Sequence, residues 1–393
     1  MEQLNIEGKR SGSGFISHKA MLVSALSRAL ADRVVLMDLT IGRRGLLGYL
    51  KALGGSNIVK VVPDGSASGS QTNGHKGLKV VCGANTSTLA DNEWIGEKTP
   101  LTLCEVRISP SNSVRPNIGA GELAEALNRV LSFTAKDDNR PVLQCVYFVA
   151  KEGKLTLVSA DGFRLAVASL DYDDGEGQAL INRGDLRGIA NALRRAKRAR
   201  VSFENGGEKM TSTSLVIDTE LIRYKWVSAD GSFPDYEKLI PTEFNIFAHF
   251  DTVEAIKAVN SLKVLSDSKA YPIDLTIGDG KMVIANPDDK GQAELSADTE
   301  GEGKVRVDGS YLASVLKACG GMVDFKLTTP ISPMLFASNG YQVVVMPMMT
   351  TEGKEAEAKQ AEPAEEAKTK PAEPEAEKPK KARRSREKEP VTA

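Results

Sequence analysis

Aromatic residues make up only 5% of this 393-residue chain, which leaves little material for stacking on single-stranded bases. Histidine is scarcer still: His18, His75 and His249 stand in unrelated stretches, without metal-ligand spacing. The four cysteines, Cys82, Cys104, Cys145 and Cys319, form no CxxC pair and are too sparse for a disulfide scaffold. They read as small buried apolar residues in a reducing cytosol, so a cytoplasmic location is expected. No apolar run approaches the ~18–20 residues of a membrane span, and the opening MEQLNIEGKRSGSG has no apolar signal core. A soluble protein with no membrane partner is expected. An excess of one charge is also missing: 51 Lys+Arg against 52 Asp+Glu leaves −1. A polyanionic partner would therefore require local segregation of charge.

Signatures of catalysis are absent as well. There is no nucleophile elbow, P-loop or dinucleotide fingerprint. The Gly-rich stretch PDGSASGSQTNGHKG (63–77) lacks the Gly-Lys-Ser/Thr ending of a phosphate cradle and reads as a loop. Asp171 to Asp174 and Pro287-Asp288-Asp289 fall between strand patterns, where aspartate favours turns. No catalytic residue, metal or cofactor is expected, and the protein is read as a non-enzyme.

What is present is an internal repeat. Three segments pair a helix-period stripe with a following strand: GRRGLLGYLKALGGSNIVKVV from Gly42, NRGDLRGIANALRRAKRARVSF from Asn182, and VDGSYLASVLKACGGMVDFKL from Val307. Alternating strand patterns follow each. Two of the three are preceded by another helix and a meander: ELAEALNRVLSFTA before VLQCVYFVAKEGKLTLVSADGFRLAVASL, and DTVEAIKAVNSL before YPIDLTIGDGKMVIANPDDKGQAEL. Glu152-Gly153 and Asp279-Gly280 supply hairpin turns. The class is α+β, in repeated domains of two helices on antiparallel sheets. The N-terminal copy is incomplete. Its first helix, in SHKAMLVSALSRALAD, meets the second through RVVLMDLTI alone, where one or two strands fit. A reduced domain is expected there, with fewer strands than its neighbours and an exposed or makeshift sheet edge. The boundaries read 1–113, 114–243 and 244–350. Residues 351–393, mostly Glu, Ala, Lys and Pro, read as a disordered tail ending in a basic cluster from Lys378 to Arg386.

Charge segregates most sharply around a helix expected over 184–199. Leu186, Ile189, Leu193 and Ala196 form its apolar face, and Arg187, Arg194, Lys197 and Arg198 crowd the rest. A face of one sign fits a polyanion. Arg28, Lys51, Arg129, Lys257 and Lys317 add cations on the other helices. If equivalent helices line one surface, these residues form a track along phosphates of duplex DNA that reads no sequence.

NRPVLQCV, SADGFRLAV, ADGSFPDYEKLIP and the terminal VVVMPM, in that order, make residues 115–349 resemble the second and third domains of the bacterial DNA polymerase III beta sliding clamps. Residues 42–103 are similar to the latter half of the first clamp domain. The resemblance implies a head-to-tail homodimeric ring around double-stranded DNA, serving the replicative polymerase, the clamp loader and other clamp-binding proteins. It also implies a peptide pocket between the second and third domains. Carried over by motif, that pocket uses Leu143, Gly162, Phe163, Arg164, Leu165, Pro234, Lys238, Leu239, Tyr311, Val344, Met346, Pro347 and Met348. Phe163 stands where relatives commonly have histidine. The alternative reading is a clamp-like binding module that engages the same partners without encircling DNA.

Overall fold

The chain lays out one motif three times: a helix, a meander, a second helix and three strands. The computed structural model describes residues 15–28, 32–37, 39–54, 57–64, 77–97, 99, 104–108, 114–137, 139–205, 213–220, 222–266 and 271–349. The proposed tail and most of the 63–77 loop lie outside them.

The first copy runs β1 (Phe15–His18), α1 (Lys19–Arg28), β2 (Arg33–Leu36), β3 (Leu39–Gly42), α2 (Arg43–Ala52), β4 (Ile58–Pro63), β5 (Gly77–Cys82), β6 (Asn85–Ala90) and β7 (Cys104–Ile108). The second has α3 (Ala120–Val130), β8 (Cys145–Lys151), β9 (Lys154–Ala160), β10 (Arg164–Asp171), β11 (Gly177–Asn182), α4 (Arg183–Leu186), α5 (Ile189–Leu193), β12 (Ala199–Asn205), β13 (Thr213–Thr219) and β14 (Ile222–Val227). The third has β15 (Ile246–Asp251), α6 (Thr252–Val264), β16 (Pro272–Gly278), β17 (Lys281–Ala285), β18 (Gln292–Ser296), β19 (Asp298–Glu300), β20 (Gly303–Asp308), α7 (Gly309–Cys319), β21 (Met322–Leu327), β22 (Met334–Ser338) and β23 (Tyr341–Val345).

The repeat extends to the pairing. In each copy the residues before the first helix bond to the first strand after the second helix. β1 pairs with β4 and β15 with β21, while an isolated bridge joins Ile118 to Ala199. Aspartate and asparagine caps start three helices: Asp251 accepts from the Val253 amide, Asn182 from Gly184, and Asp308 from Ser310. Glu152-Gly153 and Asp279-Gly280 both have positive φ at each position, which matches the right-handed twist of the flanking strands.

Sheets cross the boundaries between copies. One runs β11-β8-β9-β10-β23-β22-β21-β15-β19, another β12-β13-β14-β7-β2-β3. Two four-stranded sheets, β1-β4-β5-β6 and β18-β17-β16-β20, stay within the first and third copies. Helices cover one face of the strands, and Leu127, Phe133, Phe148, Leu193, Phe325 and Phe336 are fully buried there. Strand alternation sends Leu165, Val167 and Val344 to the opposite face. There they form a smaller core under Phe233, Tyr236, Ile240 and Phe244 of the connecting segment.

The shortening of the first copy falls on its meander. Two strands lie between α1 and α2, against four and five at the equivalent places. The total is less reduced than expected: β7 brings the first copy to seven strands among the described residues, as many as the second. β7 antiparallel to β14 and parallel to β2 splices the short hairpin onto the neighbouring copy's sheet. The expected exposed or makeshift edge takes the makeshift form at β3. The Thr40 and Gly42 amides on β3 donate to Asp91 Oδ1 and the Glu93 carbonyl, each at 2.8 Å, and the Asn92 amide donates to Thr40 O, also at 2.8 Å. The 91–94 turn therefore closes that edge, with Trp94 folded over Gly42 and Gly45.

Candidate functional site

Two places gather the residues singled out in the sequence. The first is the cationic segment after Asn182. The helix expected over 184–199 is in fact two short pieces, α4 and α5, with Arg187 and Gly188 between them. Glycine weakens a helix interior, and residues from Ala199 onward are drawn into β12 by pairing with β13. Arg194, Lys197 and Arg198 thus sit in the turn after the helix rather than on it. The carboxylate of Glu220, from the β13–β14 turn, holds that turn by accepting the Lys197 and Arg198 amides at 3.0 and 3.2 Å. The apolar side behaves as expected: Leu186, Ile189 and Leu193 are buried.

The remaining cations divide. Arg187, Arg194, Lys197 and Arg198 are exposed, as are Lys51, Lys257 and Lys317. Arg28 ends α1, and its side chain lies outside the described residues. Arg129 is not a free cation: it pairs with Glu125 at 2.6 Å and lies 5.3 Å over the Tyr341 ring. α1 packs against α2 and, across the boundary between copies, against α5, while α3 packs against α5 and α6 against α7. The helices of the first and second copies therefore form one layer.

The second place is the seam where β10 meets β23, with Arg164 opposite Val345 and Leu165 opposite Val344. Leu143, Leu165 and Val344 form a buried apolar floor. Phe163, Leu239 and Met346 stand around it at 56%, 53% and 44% exposure, a concentration of exposed apolar surface that a folded chain rarely leaves without use. The Met346 amide donates to Phe163 O at 2.9 Å and the Met348 amide to Arg306 O at 2.8 Å, which keeps the terminal segment along the seam. Phe163 and Tyr311 rings lie 6.1 Å apart. Pro234 and Lys238 are exposed, and Pro347 and Met348 half-buried. Lys238 bonds locally to Asp235 at 2.7 Å.

Arg164 is not a rim residue. Only 9% of its side chain is exposed; it forks onto Asp161, donates to Ser314 Oγ on α7 at 2.5 Å, and lies between the Phe133 and Tyr311 rings. It joins the second copy to the third. Gly162 has φ +94, a conformation that side chains rarely adopt, so the bend before Phe163 favours glycine. Burial, then the Asp161 charge, pushes the Tyr311 hydroxyl above its ordinary value. Near the seam, burial acts to raise the Asp274 carboxyl, but Arg306 at 2.5 Å and Lys304 at 2.9 Å outweigh it and hold the carboxyl below its ordinary range.

Sequence reading missed Glu220 and Ser314. Each comes to its place from a turn or helix distant in the chain, so no local spacing marks it; Arg140 lies within NRPVLQCV, but its contact with Asp161 O could not be read there. The acidic run is occupied: Asp171 pairs with Lys154 and Asp174 with Arg200, each at 2.5 Å. Among the described residues no group of three His, Cys, Asp or Glu is placed to hold a metal.

Residues 117–235 match the family model for the DNA polymerase III beta subunit, central domain. A beta sliding clamp of Caulobacter vibrioides is 25% identical over 262 residues, 62% of this chain and 68% of that protein. One from Synechocystis is 28% identical over 239 residues, 56% of this chain and 60% of that protein. Among solved structures, a DNA polymerase sliding clamp of Pseudomonas aeruginosa matches with TM-score 0.63 at 20% identity, covering 86% of this chain and 100% of that one. Another Pseudomonas aeruginosa sliding clamp, bound to griselimycin, matches with TM-score 0.62 at 22% identity over the same shares.

Proposed function

We propose that this chain, a relative of the bacterial beta sliding clamps, closes head to tail with a second copy around duplex DNA and tethers a replicative polymerase in the cytoplasm. The supporting observation is a rule of sheet continuation. At the boundary of the second and third copies, the last strand of one copy, β23, pairs antiparallel with β10, the third strand of the preceding meander. At the other boundary the last strand, β14, pairs with β7, which stands in for the missing meander strand. The equivalents left over are β6, at the edge of the first copy's sheet, and β18, at the edge of the third's. Joining β6 of one copy to β18 of another continues the same rule and, done twice, closes a ring. No chemistry is required of such a ring: topology holds it, and phosphate contacts without sequence preference let it move. The β10–β23 seam, with its apolar floor and Met346, suits short hydrophobic segments of the polymerase, the clamp loader and other partners.

Two expected results test this. On β6, residues 86, 88 and 90 face away from β5, because Gly77, opposite Ala90, gives its carbonyl to Asp64 of the other neighbour. Thr88→Pro therefore removes an outward N–H without breaking the β5 ladder. Sedimentation should show a dimer becoming a monomer of unchanged circular dichroism; an unaltered dimer would remove β6 from the interface. Reversing Arg187, Arg194 and Lys197 to glutamate should weaken DNA association and flatten its salt dependence by about 0.9 in log–log slope for each phosphate no longer neutralised. The apolar face is untouched, so the fold should hold. An unchanged slope would take this turn off the DNA surface. A non-encircling module is the second reading, favoured by the two-strand meander of the first copy.

A further inference from the structure

β11 is one of the two outer strands of the nine-stranded sheet. On its free side it makes one rung with the segment after β14: the Ala229 amide donates to Leu180 O at 2.8 Å, and the Leu180 amide donates to Ser228 Oγ at 2.9 Å. The chain then peels away from the strand as far as Phe233, whose ring stacks on Tyr147 at 5.2 Å. Between strand and peeled segment lies an open cavity of about 270 Å³, lined by Gln178, Ser228, Asp230, Ser232 and the Tyr147–Phe233 pair, among others. Gln178 lies two residues before Leu180, so its backbone N–H and C=O point to the same free side, into the cavity. Among the described residues nothing bonds to them there. The Gln178 side chain is fixed by accepting the Tyr147 hydroxyl at 2.5 Å, which leaves its amide N–H groups free. Among the described residues Asp230 is the one charged residue of the lining, and it is exposed.

We propose that this cleft binds an extended peptide segment bearing a lysine or arginine, which continues the β11 edge beside Gln178 and sets its cation against Asp230. An open pair of strand groups selects an extended backbone, since only a strand presents a matching acceptor and donor. The carboxylate selects the cation, and the aromatic pair supplies a flat apolar wall for its stem. The cleft opens at the β11 edge, not at the β10–β23 seam, although Tyr147 and Phe233 pack on the same apolar cluster as the seam floor. It does not depend on ring closure.

The test is fluorescence anisotropy on the full chain with a labelled, end-blocked Val-Lys-Val-Lys-Val peptide and its Val-Glu-Val-Glu-Val counterpart. Saturable binding of the basic peptide alone is expected, weakened about tenfold or more by Gln178→Pro and by Asp230→Asn. Proline on an edge strand with its N–H outward leaves the β8 ladder intact. If Gln178→Pro fails to fold, Asp230→Asn and the exchange rate of the Gln178 amide carry the test: peptide should slow that exchange. Absence of binding up to millimolar peptide, equal binding by the Asp230 variant, or protection confined to other amides would each overturn the proposal.

Discussion

Replacing Arg164 with alanine should cost ~3–5 kcal/mol of stability, the range for removing one partner of a buried ion pair. The guanidinium forks onto Asp161, reaches Ser314 across the boundary between copies, and fills the space between two rings. Asp161 would keep two amide donors, from Phe163 and Arg164, but would lose its counter-charge while only 14% of its side chain is exposed. Arg164→Lys should recover less than half of the loss, because an ammonium cannot reproduce a planar fork or stack between aromatics. Denaturant unfolding checks the magnitude, and amide exchange along β10 and β23 checks the place. A loss below ~1 kcal/mol, the range of surface pairs, would show that this arginine does not fasten the two copies.

The second large effect is expected at α2, where two glycines of one helix should respond in opposite directions. Nothing lies within 4 Å of a Cβ at Gly48, so Gly48→Ala should stabilise by up to ~1 kcal/mol through helix propensity alone. At Gly45 the added Cβ would lie 2.1 Å from Trp94 Cγ. The same propensity gain applies, but Trp94 must leave. Overpacking of this kind costs ~1–3 kcal/mol, and the three hydrogen bonds that tie the 91–94 turn to β3 add about 1 kcal/mol each if the turn follows. Loss therefore outweighs gain, and Gly45→Ala should lower the melting temperature. Of the chain's two tryptophans Trp226 is buried within β14, so a red-shifted emission would report Trp94. The uncovered β3 edge should also raise the tendency to associate. Equal melting shifts at positions 45 and 48 would show that Trp94 does not latch this edge.

How much of this was legible in the sequence follows from the range of the forces involved. The three copies were readable because helix-period and strand-period stripes are local. The short stretch between Asp32 and Arg43 likewise limited the first meander to the β2–β3 hairpin. The apolar stripe Leu186, Ile189 and Leu193 was readable for the same reason. The end of that helix was not, since Ala199 onward answers to β13 and the turn to Glu220. Arg129 looked like any surface cation until Tyr341, more than two hundred residues away, came to lie beneath it. Trp94 carried no local signal of its role, and neither did β7, which replaces missing strands from a position after them in the chain. The motif SADGFRLAV pointed to the seam, yet did not separate its exposed Phe163 from its inward Arg164.

The central claim is topological, and one measurement addresses it directly: retention of the protein on nicked circular DNA, followed by linearisation with a single cut, at an ionic strength that suppresses simple phosphate binding. Loading with a clamp loader, the ring account predicts protein that stays on the closed circle and leaves within the time needed to slide off the new ends. Equal retention before and after the cut, or none on the circle, would contradict it.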